Sequence, residues 1–479
     1  MLQPLSNLKH LPVVLLVLAL LLPGCVSKPP VKPVSPPAAE RNVPALALIP
    51  GTLACMNTPG FWIGQTSEPD RLVMDWAAIA AFNARSRQAC GELVEIAAFK
   101  ETVSGEKLKA ELAANLNWGR GSGLWLAGGT QPAKADWKRL ERNYDLDAIA
   151  ADVKVRFGLV SEFCDQRALP MSAGLFRKDL NLSFDRIQLT TLDVATPVAV
   201  LHQTADGLWY YVAGPDVRGW VSAAKVAICD AEILKAYAWA DKLAVVTAAK
   251  ADIFLDENLT SYWGRAQMGS KLYVLEDSDP LKFCVLVPVR LADGRCEIRA
   301  AYVQKTEASL GYLPYTPRTI INQAFKLLNA PYGWGGQFGE QDCSRFIQQV
   351  FATVGLILPR NSGQQAKIGR LLYLDQARGQ AAAKRALLAE QARPALTTLR
   401  MNGHIMLYLG QYEGEPYIIH DLWGYNSSKT VFNVVNRVAV TRLDLGRGES
   451  GSLLDKINTI RVLDNLPASP PPPAPTVNE

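Results

Sequence analysis

Cys343 stands between an acid and a serine in the stretch GEQDCSRFIQQVF, residues 339 to 351. Phe346, Ile347, Val350, Phe351 and Val354 recur at helical spacing, with Arg345, Gln348 and Gln349 on the other side. Gly355 closes the run as a C-cap would. The pattern predicts a helix with Asp342 at the N-cap and Cys343 in its first turn. A thiol there faces the positive end of the helix dipole, which favours thiolate, the nucleophilic form. Such a nucleophile needs a base, and histidine is the usual one. The chain has four histidines. His10 lies in an apolar leader and His202 in a separate β-rich region, which leaves His404 and His420. His404 opens the apolar strand GHIMLYLG, His420 closes PYIIH, and QYEGEP between them supplies a turn. Two adjacent strands then carry two imidazoles toward one place. The bland reading is one buried structural histidine and one on the surface; the cysteine upstream favours the catalytic reading.

The stretches PYGWGGQFGEQDCSRFIQQVF, LPRNSGQQA, GHIMLYLG and IIHDLWGY follow in this order within residues 314 to 465. Together they resemble the NlpC/p60 family of papain-like cell-wall cysteine peptidases. The resemblance implies Cys343 as nucleophile, His404 as general base and His420 as the third polar residue, which orients the base. It also implies Tyr332 as a hydroxyl beside the thiol that helps the oxyanion hole. Asp421 is an alternative orienter by chemistry, but its place next to His420 turns it to the opposite strand face. Asp342 and Ser344 flank the nucleophile and are expected to bind a substrate ammonium. Arg360, Ser362 and Gln365 are read as substrate contacts, with a structural role as the alternative. The implied reaction is hydrolysis of peptidoglycan stem peptides between γ-D-Glu and meso-diaminopimelate, in peptides with a free N-terminal L-Ala. No cofactor and no metal is implied. Two other readings stay open: a wall-binding scaffold that does no chemistry, and an amidase or acyltransferase using the same cysteine.

The expected fold class is α+β, with a papain-like peptidase domain behind two SH3-like β-barrels and a mainly helical N-terminal domain. Helical spacing in PDRLVMDWAAIAAFNARSRQACG, SGEKLKAELAANLNWG and DWKRLERNYDLDAIAADV assigns residues 45 to 165 to the helical domain. TPVAVLHQTADGLWYYVAGPDVRGWVSAAKV holds short β-rich runs broken by turns and resembles a bacterial SH3-like barrel, placed at 166 to 230. A second run in that style places another barrel at 231 to 313. Trp209, Tyr210 and Trp220 are candidates for a sugar- or peptide-binding surface, with Trp220 the one more expected to be buried. The Ala-rich DQARGQAAAKRALLAEQARP reads as a solvated helix.

The N-terminus reads as an export signal. A twelve-residue apolar run, LPVVLLVLALLL, is too short to span a bilayer and suits a signal peptide over 1 to 24. The LPGC that ends it resembles a bacterial lipobox, which implies lipidation at Cys25 and a membrane tie through that anchor alone. Residues 25 to 44 form a proline-rich spacer, and 466 to 479 a disordered proline-rich tail. The lipoprotein resemblance places the protein in a bacterial cell envelope, on the periplasmic face of the outer membrane, as a monomer. Seven cysteines remain after Cys25, so complete pairing within the chain leaves one thiol free. Cys55–Cys90 is the first expected disulfide, because both flank one predicted helix. The formal net charge of +5 is small for 479 residues and argues against a nucleic-acid partner. No Walker loop, dinucleotide-binding glycine fingerprint or CxxC pair is present.

Overall fold

The computed structural model describes residues 46–239, 241–374, 380–446 and 451–465. The expected signal peptide, Cys25, the expected spacer and the expected tail lie outside them. Contacts divide the chain into Met1–Ala47 and Leu48–Glu479, and the architecture below is that of the second unit. No described helix is long and apolar enough to cross a membrane.

Helices and antiparallel sheets are segregated along the chain, an α+β arrangement. The first large sheet has seven strands, in the order Val226–Cys229, Arg156–Val160, Pro197–Gln203, Trp209–Ala213, Arg218–Ser222, Cys164–Arg167, Gln188–Leu192. It therefore begins at Arg156 and not at residue 166. Val153, Val155, Phe157 and Leu159 alternate with polar or small residues, a period-two signal hidden by the helical run just before it. Trp220 and Tyr210 are buried in this sheet's packing, and Trp220 stacks on Tyr144 and Tyr211, so neither offers a binding surface. A second seven-stranded sheet runs from Leu243 to Leu310.

The helical block has no core of its own. Met56, Trp62, Met74 and Phe82 pack into the same core as the helix that starts at Cys343. Leu108, Leu112, Leu116 and Tyr144 pack instead with the two barrel-type sheets. Asn83 ties the first group down: its amide donates to Gly355 O at 2.9 Å, and its Oδ1 accepts from Ile357 N at 2.9 Å. The C-terminal end of the nucleophile helix is held this way.

The last sheet has six strands, in the order Arg370–Leu374, Thr459–Val462, Thr397–Met401, His404–Tyr412, Glu415–Asn426, Phe432–Arg442. The nucleophile helix, Cys343–Ala352, lays Phe346, Ile347, Val350 and Phe351 into its core, all fully buried. Ala381–Gln391 forms a helix, but it is not merely solvated. Its Lys384 is buried and donates to the carbonyls of Leu454 and Asp455 at 3.2 Å. All seven described cysteines are free thiols, so Cys55 and Cys90 are not bridged.

Candidate active site

Asp342 is the N-cap of the nucleophile helix and accepts from Arg345 N at 2.9 Å. Cys343 is thereby fixed as the first helical residue, with its own backbone N–H among those left unbonded at a helix start. The strands bearing the two histidines pair with Leu407 opposite Ile419. That register puts Met406 opposite His420, and His404 two residues further along on the same face. His404 Nε2 and His420 Nδ1 are 2.7 Å apart. The next strand pairs Ala439 with His420. The small alanine leaves room for Thr441, on the same face, whose Oγ1 is 3.0 Å from His420 Nε2.

Of the two tautomer assignments these contacts allow, one suits the chemistry. If His404 donates Nε2–H to His420 Nδ1, then His420 carries its proton on Nε2 and donates it to the Thr441 hydroxyl. His404 Nδ1 is then unprotonated and free to meet the thiol, which lies against the backbone N–H of Ile405, the next residue along. Thr441 escaped the sequence reading, because no signal in VAVTR states which register its strand will take.

The electrostatics differ from the expectation of a resting thiolate. Burial first, and the Asp342 carboxylate second, push the Cys343 thiol up to about 12. Burial also brings His404 down to about 4, against the opposing pull of Asp342, and holds His420 well below its ordinary value. With these shifts the resting pair is neutral thiol and neutral imidazole. The Tyr332 hydroxyl is raised by burial and then by Cys343 and Asp342, so it remains a proton donor beside the sulfur.

Four of the five residues expected to touch substrate are engaged inside the protein. Arg360, 2 % exposed, donates from Nη1 and Nη2 to the two oxygens of Asp342 at 3.0 and 2.7 Å. It also donates to Ser344 Oγ at 2.9 Å and to Thr190 Oγ1 at 2.8 Å. Burial alone would raise the Asp342 carboxyl, but the Arg360 guanidinium holds it below the usual range. Asp342 therefore already has its cation, and its oxygens also accept from Gly335 N and Ser344 Oγ. Gln365 donates to Ser344 O and Pro359 O, both at 2.8 Å. The carboxylate, the hydroxyl and these donors cap and brace the helix start. Ser362, half-buried, has no such commitment. Asp421 is buried with neither oxygen accepting a well-formed hydrogen bond, and burial raises it well above the usual carboxyl range. It takes no part in the contacts that join His404, His420 and Thr441.

The first sheet builds one wall of the site. Gly335 and Gly336 have φ of +61° and +85°, and an added Cβ would meet Gln188 Cγ at 2.7 Å or Thr191 Oγ1 at 2.5 Å. Glycine is needed here for both reasons: the left-handed backbone and the close approach to the strand Gln188–Leu192. Gln188 Nε2 donates to Gly335 O at 3.2 Å across that contact. Just before this strand, Phe184 sets its ring against Tyr332, Trp334 and Trp423 at centroid distances of 6.1, 5.2 and 5.1 Å. A cavity of about 340 Å³ lies elsewhere, against Arg345, Gln348 and Ala352 of the nucleophile helix, and none of Cys343, His404 or His420 lines it. Among the described residues no cluster of His, Cys, Asp or Glu is placed to hold a metal ion.

Residues 329–429 match the NlpC/P60 family, and residues 175–222 match the SH3 domain of SH3b1 type. The chain thus carries an NlpC/P60 domain, of a cysteine peptidase family, and an SH3-like domain. A curated relative, the γ-D-glutamyl-L-lysine dipeptidyl-peptidase of Bacillus subtilis (strain 168), is 41% identical over 61 residues. That match spans 12% of this chain and only about a fifth, 21%, of the relative's length. Among solved structures, an NlpC/P60 endopeptidase from Photobacterium damselae subsp. piscicida superposes with a TM-score of 0.68 at 20% identity. It covers 84% of this chain and 96% of its own. An NlpC/P60 family protein from Bacillus cereus ATCC 10987 gives a TM-score of 0.46 at 16% identity, over 64% of this chain and 98% of its own. At 20% identity the likeness to the Photobacterium protein is one of fold.

Proposed function

We propose that the NlpC/P60 domain of this chain is a working cysteine peptidase that cuts peptidoglycan stem peptides between γ-D-Glu and the diamino acid. The observation that carries the reading is the unbroken relay behind Cys343: His404, His420 and Thr441, joined at 2.7 and 3.0 Å. A non-catalytic scaffold has no use for two buried imidazoles joined to each other and to a hydroxyl.

In the proposed mechanism Cys343 Sγ attacks the scissile carbonyl carbon as its proton passes to His404 Nδ1. The oxyanion accepts hydrogen bonds from the Cys343 backbone N–H and the Tyr332 hydroxyl. His420, backed by Thr441, holds the His404 ring and stabilises the imidazolium while it lasts. His404 then protonates the leaving amine and the C–N bond breaks, leaving a thioester. Water, deprotonated by His404, hydrolyses the thioester and restores the thiol.

The bond assignment is supported by the activity named for the Bacillus subtilis relative, whose match covers a small part of each chain. It is tested by incubating the protein with L-Ala-γ-D-Glu-diaminopimelate and with the α-linked isomer, then identifying products by mass spectrometry. Release of L-Ala-D-Glu and free diaminopimelate from the γ-linked peptide alone is expected. Transfer of the acyl group to an added amine in place of water would favour the acyltransferase alternative. Anchoring through lipid on Cys25, in the envelope of a bacterial cell, belongs to the same proposal and rests on residues 11–25. A Cys25→Ser variant should lose lipid and partition into the aqueous phase of a detergent extract; equal partitioning of variant and wild type would overturn the anchor.

A further inference from the structure

Arg186, from the SH3-like domain, is a cation at the cleft with no described carboxylate in ion-pair contact. Its Cζ sits 5.4 Å from the centre of the Phe184 ring and 5.1 Å from that of Trp334. Phe184 in turn touches Tyr332 and Trp423, and Tyr332 lies beside the Cys343 thiol. The guanidinium is therefore an aromatic ring or two from the nucleophile. Lying over two rings restricts where it can sit, as an arginine fork aimed at a planar partner requires. Three other arginines of this region have their partners. Arg360 meets Asp342, and Arg167 meets Asp185 at 2.7 Å. Arg345 meets Asp193 at 2.8 Å. Arg186 has none: its Nε is buried without a hydrogen-bond acceptor, and the charged side chains near it are Arg177 and Asp179, neither in contact. A positioned, partly desolvated guanidinium without a carboxylate is a pair of N–H donors with an acceptor still to be filled.

We propose that Arg186 recognises a carboxylate of the bound peptide, so that the SH3-like domain supplies a specificity residue to the peptidase cleft. This deepens the peptidase reading above and rests on it. A γ-linked D-glutamyl residue keeps its α-carboxylate free beside the scissile bond, and the diamino acid carries another. The chemistry sought is the same for both, and the substrate can be altered at each in turn.

The test measures kcat/KM on three peptides: L-Ala-γ-D-Glu-diaminopimelate, the same with the D-glutamyl α-carboxylate amidated, and the same with the diaminopimelate main-chain carboxylate amidated. Wild type, Arg186→Gln and Arg186→Lys are compared. For wild type, one of the two amidated peptides should fall by about tenfold or more, the scale of a lost charge-assisted hydrogen bond. Arg186→Gln should lose a similar factor on the unmodified peptide and treat it and that amidated peptide alike. Arg186→Lys, which keeps the charge without the fork, should lie between. Which amide matters names the carboxylate. Equal wild-type rates on all three, or full discrimination kept by Arg186→Gln, would overturn the inference while leaving the peptidase reading standing. Cleavage of none would overturn both. Should Arg186→Gln fail to fold, the wild-type ratios alone decide.

Discussion

His404 works as a base only while neutral, and its burial sets where that ends. With the ring brought down to about 4, activity should persist on the acid side of neutrality and fall as the pH drops through about 4 to 5. The profile of kcat/KM against pH checks this; an acid limb near 6.5 would mean that the imidazole is far better solvated. The relay gives a second expectation. Thr441→Val keeps the shape and removes the acceptor for His420 Nε2–H, so kcat should fall roughly tenfold with the melting temperature little changed. His420→Asn should keep more activity than His420→Ala, since an amide oxygen can still accept from His404. That Cys343 starts a helix and that His404 and His420 lie on neighbouring strands was legible because each sits in a local pattern, a capped amphipathic helix or a strand end. Thr441 was not, because strand register is a tertiary fact. The burial that opposes the expected thiolate was hidden for a related reason: the dipole is local and can be argued from a helix start, whereas burial depends on the whole chain.

The start of the nucleophile helix is braced by an ion pair that the LPRNS stretch brings from outside it. Arg360 and Asp342 are 3% and 10% exposed at the side chain, so breaking the pair strands a charge. Arg360→Met should destabilise the protein by about 3–5 kcal/mol, and Asp342→Asn combined with it should recover part of that loss. Urea unfolding of the two variants measures the coupling; an uncoupled, additive result would mean that the brace is not a pair. The pH dependence has a definite sign. Asp342 is depressed in the folded protein, so its contribution is present above the unfolded carboxyl value and lost as the pH falls through the folded one. Asp421 is raised, so its contribution is largest below the unfolded value and declines as the pH rises from about 4. Sequence placed Asp342 and Arg360 near the cleft and offered them to the substrate. Their mutual contact was hidden because 18 positions separate them, and nothing in LPRNS says which way the arginine turns.

At the scale of the molecule, the order of parts was legible and their contacts were not. Turn-punctuated β runs announced the barrel-type sheets, and helical periodicity announced the N-terminal helices. That these helices share their cores with their neighbours, and that Phe184 stands at the cleft, follows only from packing. Phe184, Trp334 and Trp423 cluster beside Tyr332, and in the proposed function this cluster closes the cleft at the peptide's amino end. An N-acetylated stem peptide should therefore be cut at least several-fold more slowly than the free amine, through loss of fit and not through Asp342, whose carboxylate is held by Arg360. Equal rates on the two peptides would show the groove to be open at that end. All of this presupposes that Cys343 is the nucleophile. The direct measurement is hydrolysis of L-Ala-γ-D-Glu-diaminopimelate by wild type and by Cys343→Ala, with products read by mass spectrometry and folding checked by circular dichroism. The account predicts dipeptide and free diaminopimelate from the wild type and neither from an equally folded variant; the same products at an undiminished rate from Cys343→Ala would contradict it.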